Sequence, residues 1–244
     1  MKSAPYVRGG RAARLASLVA GLALFSFGIV LTLESRLGLS PWDVLNQGIA
    51  RNTPLSFGEA NILVALGVLV AGWTLGARPG LGTVANAVLI GVFVDQYLRI
   101  HALHRLAEEP LAARIPMNLG GIALIGVATA FYIGARFGAG PRDSLMLVGA
   151  QRTRFRVGAV RAAIEGCALV AGWLLGGTVG VGTLAFAILV GPAVEASFWL
   201  LRRSSLTVSP GDRAVSALAE TALSGVRLRR RLLRRRPRAG GGTI

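Results

Sequence analysis

The stretch Leu69-Val70-Ala71-Gly72-Trp73 returns unchanged as Leu169-Val170-Ala171-Gly172-Trp173, 100 residues further on. Working outward at that offset, Gly38, Pro41, Asp43, Gly76, Gly82-Thr83 and Gly91 meet Gly138, Pro141, Asp143, Gly176, Gly182-Thr183 and Gly191 without a gap. Across residues 36–98 and 136–198, 23 of 63 positions are identical. Apolar segments match by chance through Leu, Val and Ala, but chance does not also align Pro, Asp, Trp and Gly at fixed spacing. The unit exceeds the roughly 20–50 residues of solenoid repeats. Two-fold repetition of an apolar unit is the plan of many secondary transporters, whose substrate site lies between the halves.

Composition points to a bilayer. Hydrophobic residues make up 53% of the chain and charged residues 16%, against about 25% charge in soluble domains. Mean hydropathy is +0.58. Charge gathers at the ends: Lys2, Arg8, Arg11 and Arg14 face no acid within residues 1–14, and residues 202–244 hold 11 Arg against Asp212 and Glu220. By the positive-inside rule this predicts a multi-pass membrane protein with both termini cytoplasmic. A sequence pI near 11.8 also suits nucleic-acid binders, but these would not carry their charge beside several bilayer-length apolar runs. No nucleic-acid partner is expected.

The run Leu15–Leu33 is followed by Glu34-Ser35-Arg36 without a small-residue cleavage site. Its counterpart Ile115–Ala135 lies inside the chain, so the first run reads as a retained span rather than a signal peptide. Cys167 stands alone in an apolar run, which excludes an internal disulfide and reads as a small packed hydrophobe. Bilayer-length runs fall at 15–33, 58–77, 81–98, 115–135, 158–176 and 181–201, each near the ~20 residues that cross a bilayer. Tight Gly-rich connections at 77–80 and 177–180 predict two helical hairpins. The expected fold is an all-α, polytopic transmembrane bundle of two repeats, with six long spans and two short helices. Its parts are a basic N-terminus (1–14), a first repeat (15–98), a polar linker (99–114), a second repeat (115–201) and an Arg-rich tail (202–244).

The short segments carry the topology. Gly38-Leu39-Ser40-Pro41-Trp42-Asp43 and Gly138-Ala139-Gly140-Pro141-Arg142-Asp143 each open about a dozen residues of helical character. Pro suits a first helical turn and an acid there favours the dipole. A dozen residues rise only ~18 Å. Two readings stay open: half-helices entered through an extended stretch, as at midplane transporter sites, or interfacial helices with Trp42 at headgroup level. If the short helices complete a crossing, the repeats are parallel. Arg36, Arg78, Arg136 and Arg142 then lie outside, and Arg51, Arg99, Arg105, Arg114, Arg152, Arg154 and Arg156 inside. If they do not cross, the repeats are inverted and the same arginines divide 5 to 6. The first division is better by a small margin and would make residues 99–114 cytoplasmic.

Gly38-Leu39-Ser40-Pro41-Trp42-Asp43, Leu55-Ser56-Phe57-Gly58, Gly80-Leu81-Gly82-Thr83 and Gly91-Val92-Phe93-Val94-Asp95 together resemble the YczE/YyaS/YitT family of bacterial integral membrane proteins. The likeness spans roughly residues 15–200. It implies a polytopic inner-membrane protein and supplies no catalytic or ligand residues. The second half departs from the motif at Arg142 and Glu195, so a site lined by both halves would be asymmetric.

An ionisable group within a span is expensive and marks a functional hypothesis. Glu165 lies mid-span with Arg161 four residues before it; the pair is either an intrahelical ion pair or a proton- or substrate-binding group. Asp43 and Asp143 either cap their helices or face a shared site. Asp95 and Glu195, at equivalent late-helix positions, are secondary candidates that also read as interfacial stops. Asn61 and Asn86 suit interhelical hydrogen bonding, and Trp73 and Trp173 an aromatic belt. His101 and His104 lie in a polar stretch without a Cys or acid cluster, so no metal and no cofactor is expected. With no phosphate loop, dinucleotide fingerprint or nucleophile–His pairing, no enzyme is expected. Arg229, Arg230, Arg231, Arg234, Arg235 and Arg236 in the tail suit anionic lipid headgroups. The leading function is a permease or exporter for an unknown small solute. The alternative is a membrane scaffold or regulatory subunit for a partner protein.

Overall fold

The computed structural model describes Val7, Arg8, residues 10–204, Leu206 and Thr207. The regular structure of the described residues is helical, with one isolated bridge, Val7 with Thr207. Its helices are α1 (Arg11–Ser35), α2 (Pro41–Asn52), α3 (Phe57–Thr74), α4 (Leu81–Leu98), α5 (His101–Arg105), α6 (Leu111–Gly134), α7 (Pro141–Thr153), α8 (Val157–Leu174) and α9 (Val181–Arg203), with a 3-10 turn at Leu106–Glu108. Six of them, α1, α3, α4, α6, α8 and α9, are long and apolar enough to cross a membrane. These match the expected runs to within a few residues. Two boundaries move: α1 already begins at Arg11, and α6 begins at Leu111, so Arg114 belongs to a helix rather than to the linker. The tail arginines Arg229–Arg236 lie outside the described residues.

α1 and α6 form the centre and run antiparallel. Gly21 faces Ala128 and Tyr132, while Gly28 faces Gly121 and Ile125. A Cβ on Gly28 would lie 2.9 Å from the Gly121 carbonyl oxygen, a separation that only small residues permit. Side chains tie both ends of the pair: Arg14 Nε donates to Ala135 O at 2.9 Å, and Arg114 Nε to Ser35 O at 2.7 Å. α4 docks on this pair, with Ser26 Oγ donating to Ile90 O at 3.1 Å. The apolar core gathers Leu18, Leu22, Ile29, Val94 and Ile125.

Contacts recur reciprocally between the halves. Gly82 N donates to Phe137 O and Gly182 N to Leu37 O, both at 2.8 Å. Gly38 (φ 121°) and Gly138 (φ 125°) adopt a conformation that L side chains rarely enter, and each is pressed against the Thr183 or Thr83 hydroxyl of the opposite half. α2 packs on α8 and α3 on α7. Arg51 donates to Gly176 O, and Arg152 Nε donates to Leu75 O at 2.9 Å.

These contacts define two ends. At one, Arg8 N donates to Leu206 O at 2.7 Å and Val7 N to Gly134 O at 3.2 Å; this is the termini end. At the other, α1 finishes beside the start of α6, and residues 99–110 join α4 to α6; this is the linker end. α3 also begins there, because Gly58 N donates to Asp95 Oδ1 near the end of α4 at 2.8 Å. α2 therefore enters and leaves at the linker end, and by the reciprocal contacts α7 does so at the termini end. Neither crosses.

The small margin in arginine counts pointed to the other arrangement. It took Arg142 for a surface group, although this residue lines an internal cavity. It also ignored Glu34, Glu59, Asp95, Glu108 and Glu109, which gather at the linker end. A second correction concerns Cys167, which is exposed on α8 rather than packed. In a Cys167→Ala chain, single cysteines replacing Glu109 and Arg154 should label from opposite faces of the membrane with an impermeant thiol reagent. Labelling of both from one face would overturn the antiparallel arrangement.

Candidate functional site

Both short helices start at one cavity of about 360 Å³. Ser40, Pro41, Trp42 and Asp43 line it from α2; Gly140, Pro141, Arg142 and Asp143 line it from α7. Asn61, Asn86, Tyr132, Arg161 and Glu165 add polar groups from the spans, and Phe25, Ile90, Ile125 and Phe186 supply an apolar wall. Asp43, Asp143, Glu165, Arg161, Asn61 and Asn86 thus face one space, as half-helices entering from opposite ends would require. Trp42 is buried against Met146 and Ala168, not held at a headgroup layer.

Local sequence builds the two mouths differently. Pro41 occupies the first turn of α2, and Ser40 caps it by accepting from Asp43 N at 3.2 Å. The Ser40 hydroxyl in turn donates to Asp43 Oδ2 at 2.5 Å, and Asn46 Nδ2 donates to Asp43 Oδ1 at 3.3 Å. In α7 the cap position is Gly140, which has no side chain to accept from the first-turn amides. Asp143 instead receives the Tyr132 hydroxyl at 3.1 Å. The Asp43 carboxylate therefore faces the cavity and is held by Ser40 and Asn46, while the capping itself falls to the Ser40 hydroxyl.

Three carboxylates and two guanidiniums share the space. Arg161 Nε and Glu165 Oε1 are 2.9 Å apart, so the expected intrahelical pair exists and also lines the cavity. The Arg142 guanidinium sits 4.9 Å from the Trp42 ring centroid and interacts electrostatically with Asp43, Asp143 and Glu165. A cation over an indole face is attracted by the ring quadrupole. Among the described residues, Trp42 Nε1, Asn61 Nδ2 and Asn46 Oδ1 are buried with no hydrogen-bond partner, and of these three residues Trp42 and Asn61 line the cavity. The Asn61 amide nitrogen is thus not the interhelical tie that the sequence suggested. The two unpaired groups on cavity-lining residues are donors, whereas Asp43, Asp143 and Glu165 each have a donor partner within the protein.

The secondary acids lie elsewhere. Asp95 accepts from Ser56 Oγ at 2.5 Å and from Gly58 N at the α3–α4 seam, and Glu195 is exposed on α9. Sequence reasoning passed over Arg142, Trp42 and Tyr132 as site groups. A signal was present: within the two hexapeptide motifs, Trp42 and Arg142 hold the same register, and the structure brings these two positions together. Tyr132, in an apolar run, carried no signal.

A family of unknown function, DUF6198, matches residues 12–198. The chain belongs to that family. An uncharacterized protein of Haemophilus influenzae is 37% identical over 178 residues, covering 73% of this chain and 80% of the relative. The uncharacterized membrane protein YczE of Bacillus subtilis is 38% identical over 176 residues, covering 70% and 79%. YyaS of the same organism, also uncharacterized, is 27% identical over 188 residues, covering 77% and 93%. No solved structure matches the chain. The resemblance read from the motifs holds, and this DUF6198 chain is an integral membrane protein.

Removing the α2 cap has a defined cost. Ser40→Ala should lower unfolding stability by about 0.5–2 kcal/mol. Gly140→Ala, at the uncapped α7 position, should cost less than that. Denaturant titration in detergent micelles would measure the difference, and equal losses would contradict the asymmetric capping described above.

Proposed function

We propose that this protein is a permease or exporter for a small solute, built from a duplicated unit in inverted orientation. Its binding site is the cavity between the halves. The observation that carries the reading is the convergence of two half-helix starts from opposite ends on one cavity that holds charged groups, the arrangement that builds midplane sites in secondary transporters. Charged groups within the bilayer are costly and are retained where they bind or relay. Five of them share this cavity.

The cavity also supports a solute class. The unpaired groups on cavity-lining residues, Trp42 Nε1 and Asn61 Nδ2, are donors, which favours a ligand bringing acceptor oxygens. With all five ionised, three carboxylates against two guanidiniums leave an excess negative charge, which disfavours a bare anion. The apolar wall of Phe25, Ile90, Ile125 and Phe186 suits a hydrocarbon body. An uncharged or zwitterionic amphipathic solute meets all three conditions, and a weak acid does so when a proton accompanies it.

Orientation in a bacterial inner membrane follows from charge. Arg8, Arg11, Arg14, Arg78, Arg136, Arg152, Arg154, Arg156, Arg202 and Arg203 gather at the termini end. The linker end mixes Arg36, Arg51, Arg99, Arg105 and Arg114 with five acids. The positive-inside rule makes the termini end cytoplasmic.

In proteoliposomes, a panel of amphipathic amides, weak acids and amino acids should include solutes that raise the melting temperature of the protein and enter the vesicles. Asp143→Asn and Asn61→Ala should each lower that flux by about ten-fold or more while the folded protein is retained. Absence of flux for every solute, together with stable co-purification of a partner protein, would favour a scaffold instead.

A further inference from the structure

The hairpins α3–α4 and α8–α9 hold equivalent places in the two halves, yet they differ in condition. α3 and α4 pack along their length. Gly58 and Gly91 meet so closely that a Cβ on either would overlap the carbonyl oxygen of the other. Asp95 fastens this seam by accepting from Ser56 Oγ and Gly58 N. α8 and α9 make almost no contact with one another. Among the described residues, a Cβ built on Gly158, Gly166 or Gly191 would have no atom within 4 Å. The cavity runs into this gap, where Arg161 and Glu165 of α8 face Phe186 and Val190 of α9.

The two seams lie at opposite ends. Ser56, Gly58 and Asp95 are at the linker end; Arg156, Gly158 and Glu195 stand toward the termini end. The short helices repeat the asymmetry. At the linker end, a Cβ on Gly172 of α8 would overlap the Leu45 backbone of α2. At the termini end, a Cβ on Gly72 of α3 would stand 3.8 Å from the Leu145 backbone of α7. The two comparisons, of the hairpin seams and of the short-helix contacts, give the same sign: tight at the linker end, loose at the termini end.

We infer that the α8–α9 seam is a gate, and that this structure is one of two states, sealed at the linker end and open at the termini end. The inference rests on the solute-permease reading above. The closed form of the gate is drawn by its counterpart. Gly158 meets Gly191, and Arg156 and Glu195, which occupy the positions of Ser56 and Asp95, pair across the seam. Both side chains are exposed while the gate is open. α9 also carries a hinge that α4 lacks: Pro192, beside Gly191, removes a backbone hydrogen bond where α4 has Val92. When α8 and α9 close, α3 and α4 part, so the cavity never opens to both ends at once. Exchange of conformation between inverted halves is the geometry of alternating access.

The test uses the full chain in lipid nanodiscs with Cys167→Ala. The Arg156→Cys/Glu195→Cys pair should be bridged by a short bifunctional thiol reagent, although α8 and α9 stand apart here. Failure of that pair to cross-link, where Ser56→Cys/Asp95→Cys cross-links readily, would overturn the gate. Gly191→Leu supplies a second measure that does not depend on cysteine chemistry. It should melt like the parent chain, because its site is open, yet slow solute entry by about ten-fold by preventing closure. Gly91→Leu should instead destabilise the fold. Unchanged flux in Gly191→Leu would also overturn the gate. Cross-linking at 156 and 195 without flux of any solute would leave the gate standing and remove the permease reading; flux without cross-linking would do the reverse.

Discussion

The close antiparallel approach of α1 and α6 is the constraint on which the rest depends. Gly21, Gly28 and Gly121 bring the two backbones together so that little side-chain volume separates them. In a bilayer, lipid tails are as apolar as Leu, and helices associate through packing and interhelical hydrogen bonds rather than by escaping water. A glycine seam is therefore an effective adhesive there, and Arg14 and Arg114 fix its register from both ends. Once these helices lie antiparallel, equivalent elements of the halves must point in opposite directions. The linker 36–40 then reaches the start of α9, and 136–140 the start of α4, which brings both short helices to the centre.

The cavity follows from that convergence. A short helix starting inside the membrane exposes first-turn amides that need acceptors. α2 meets the need with Ser40, whereas Gly140 at the cap position of α7 has no side chain to offer. The two halves differ at single registers of the shared motif: Ser40 against Gly140, and Trp42 against Arg142. The Trp42–Arg142 contact exists because these equivalent positions face one another, so one residue difference produced both an aromatic surface and its cation. The five charges remain tolerable because each has partners or opposite charges nearby.

Much of this was legible in the sequence, for identifiable reasons. The six spans follow from length and hydropathy alone, and Pro41 and Pro141 mark helix starts because Pro fits a first turn. Asp43, Asp143 and Glu165 stand out because ionisable groups are rare in such surroundings. The direction of the second half was not legible by counting arginines, because Arg142 is internal and the acids at the linker end offset their neighbours. What carried direction was the pairing of glycines between α1 and α6, and pairing is a property of two segments that neither displays alone. Tyr132 was hidden for a similar reason: an aromatic in an apolar span resembles packing until its hydroxyl is seen to meet Asp143. The exposure of Cys167 was equally out of reach, since the face of α8 turned away from Arg161 and Glu165 is apolar enough for either position.

The unequal lengths of the spans have a consequence for the lipid around them. α3, α4 and α8 have 18 residues each, whereas α1 and α6 have 25 and 24. At 1.5 Å per residue the short ones rise about 27 Å, slightly less than an average hydrocarbon core. Trp73 and Trp173 close two of them at opposite ends, and both are largely exposed. Indole rings prefer the headgroup layer, so they set two planes whose separation the bilayer must match. The protein is thus suited to thin membranes. Thicker lipid would have to be compressed beside α3, α4 and α8, at a cost of fractions of a kcal/mol per Å of mismatch, while the central pair could relieve the strain only by tilting.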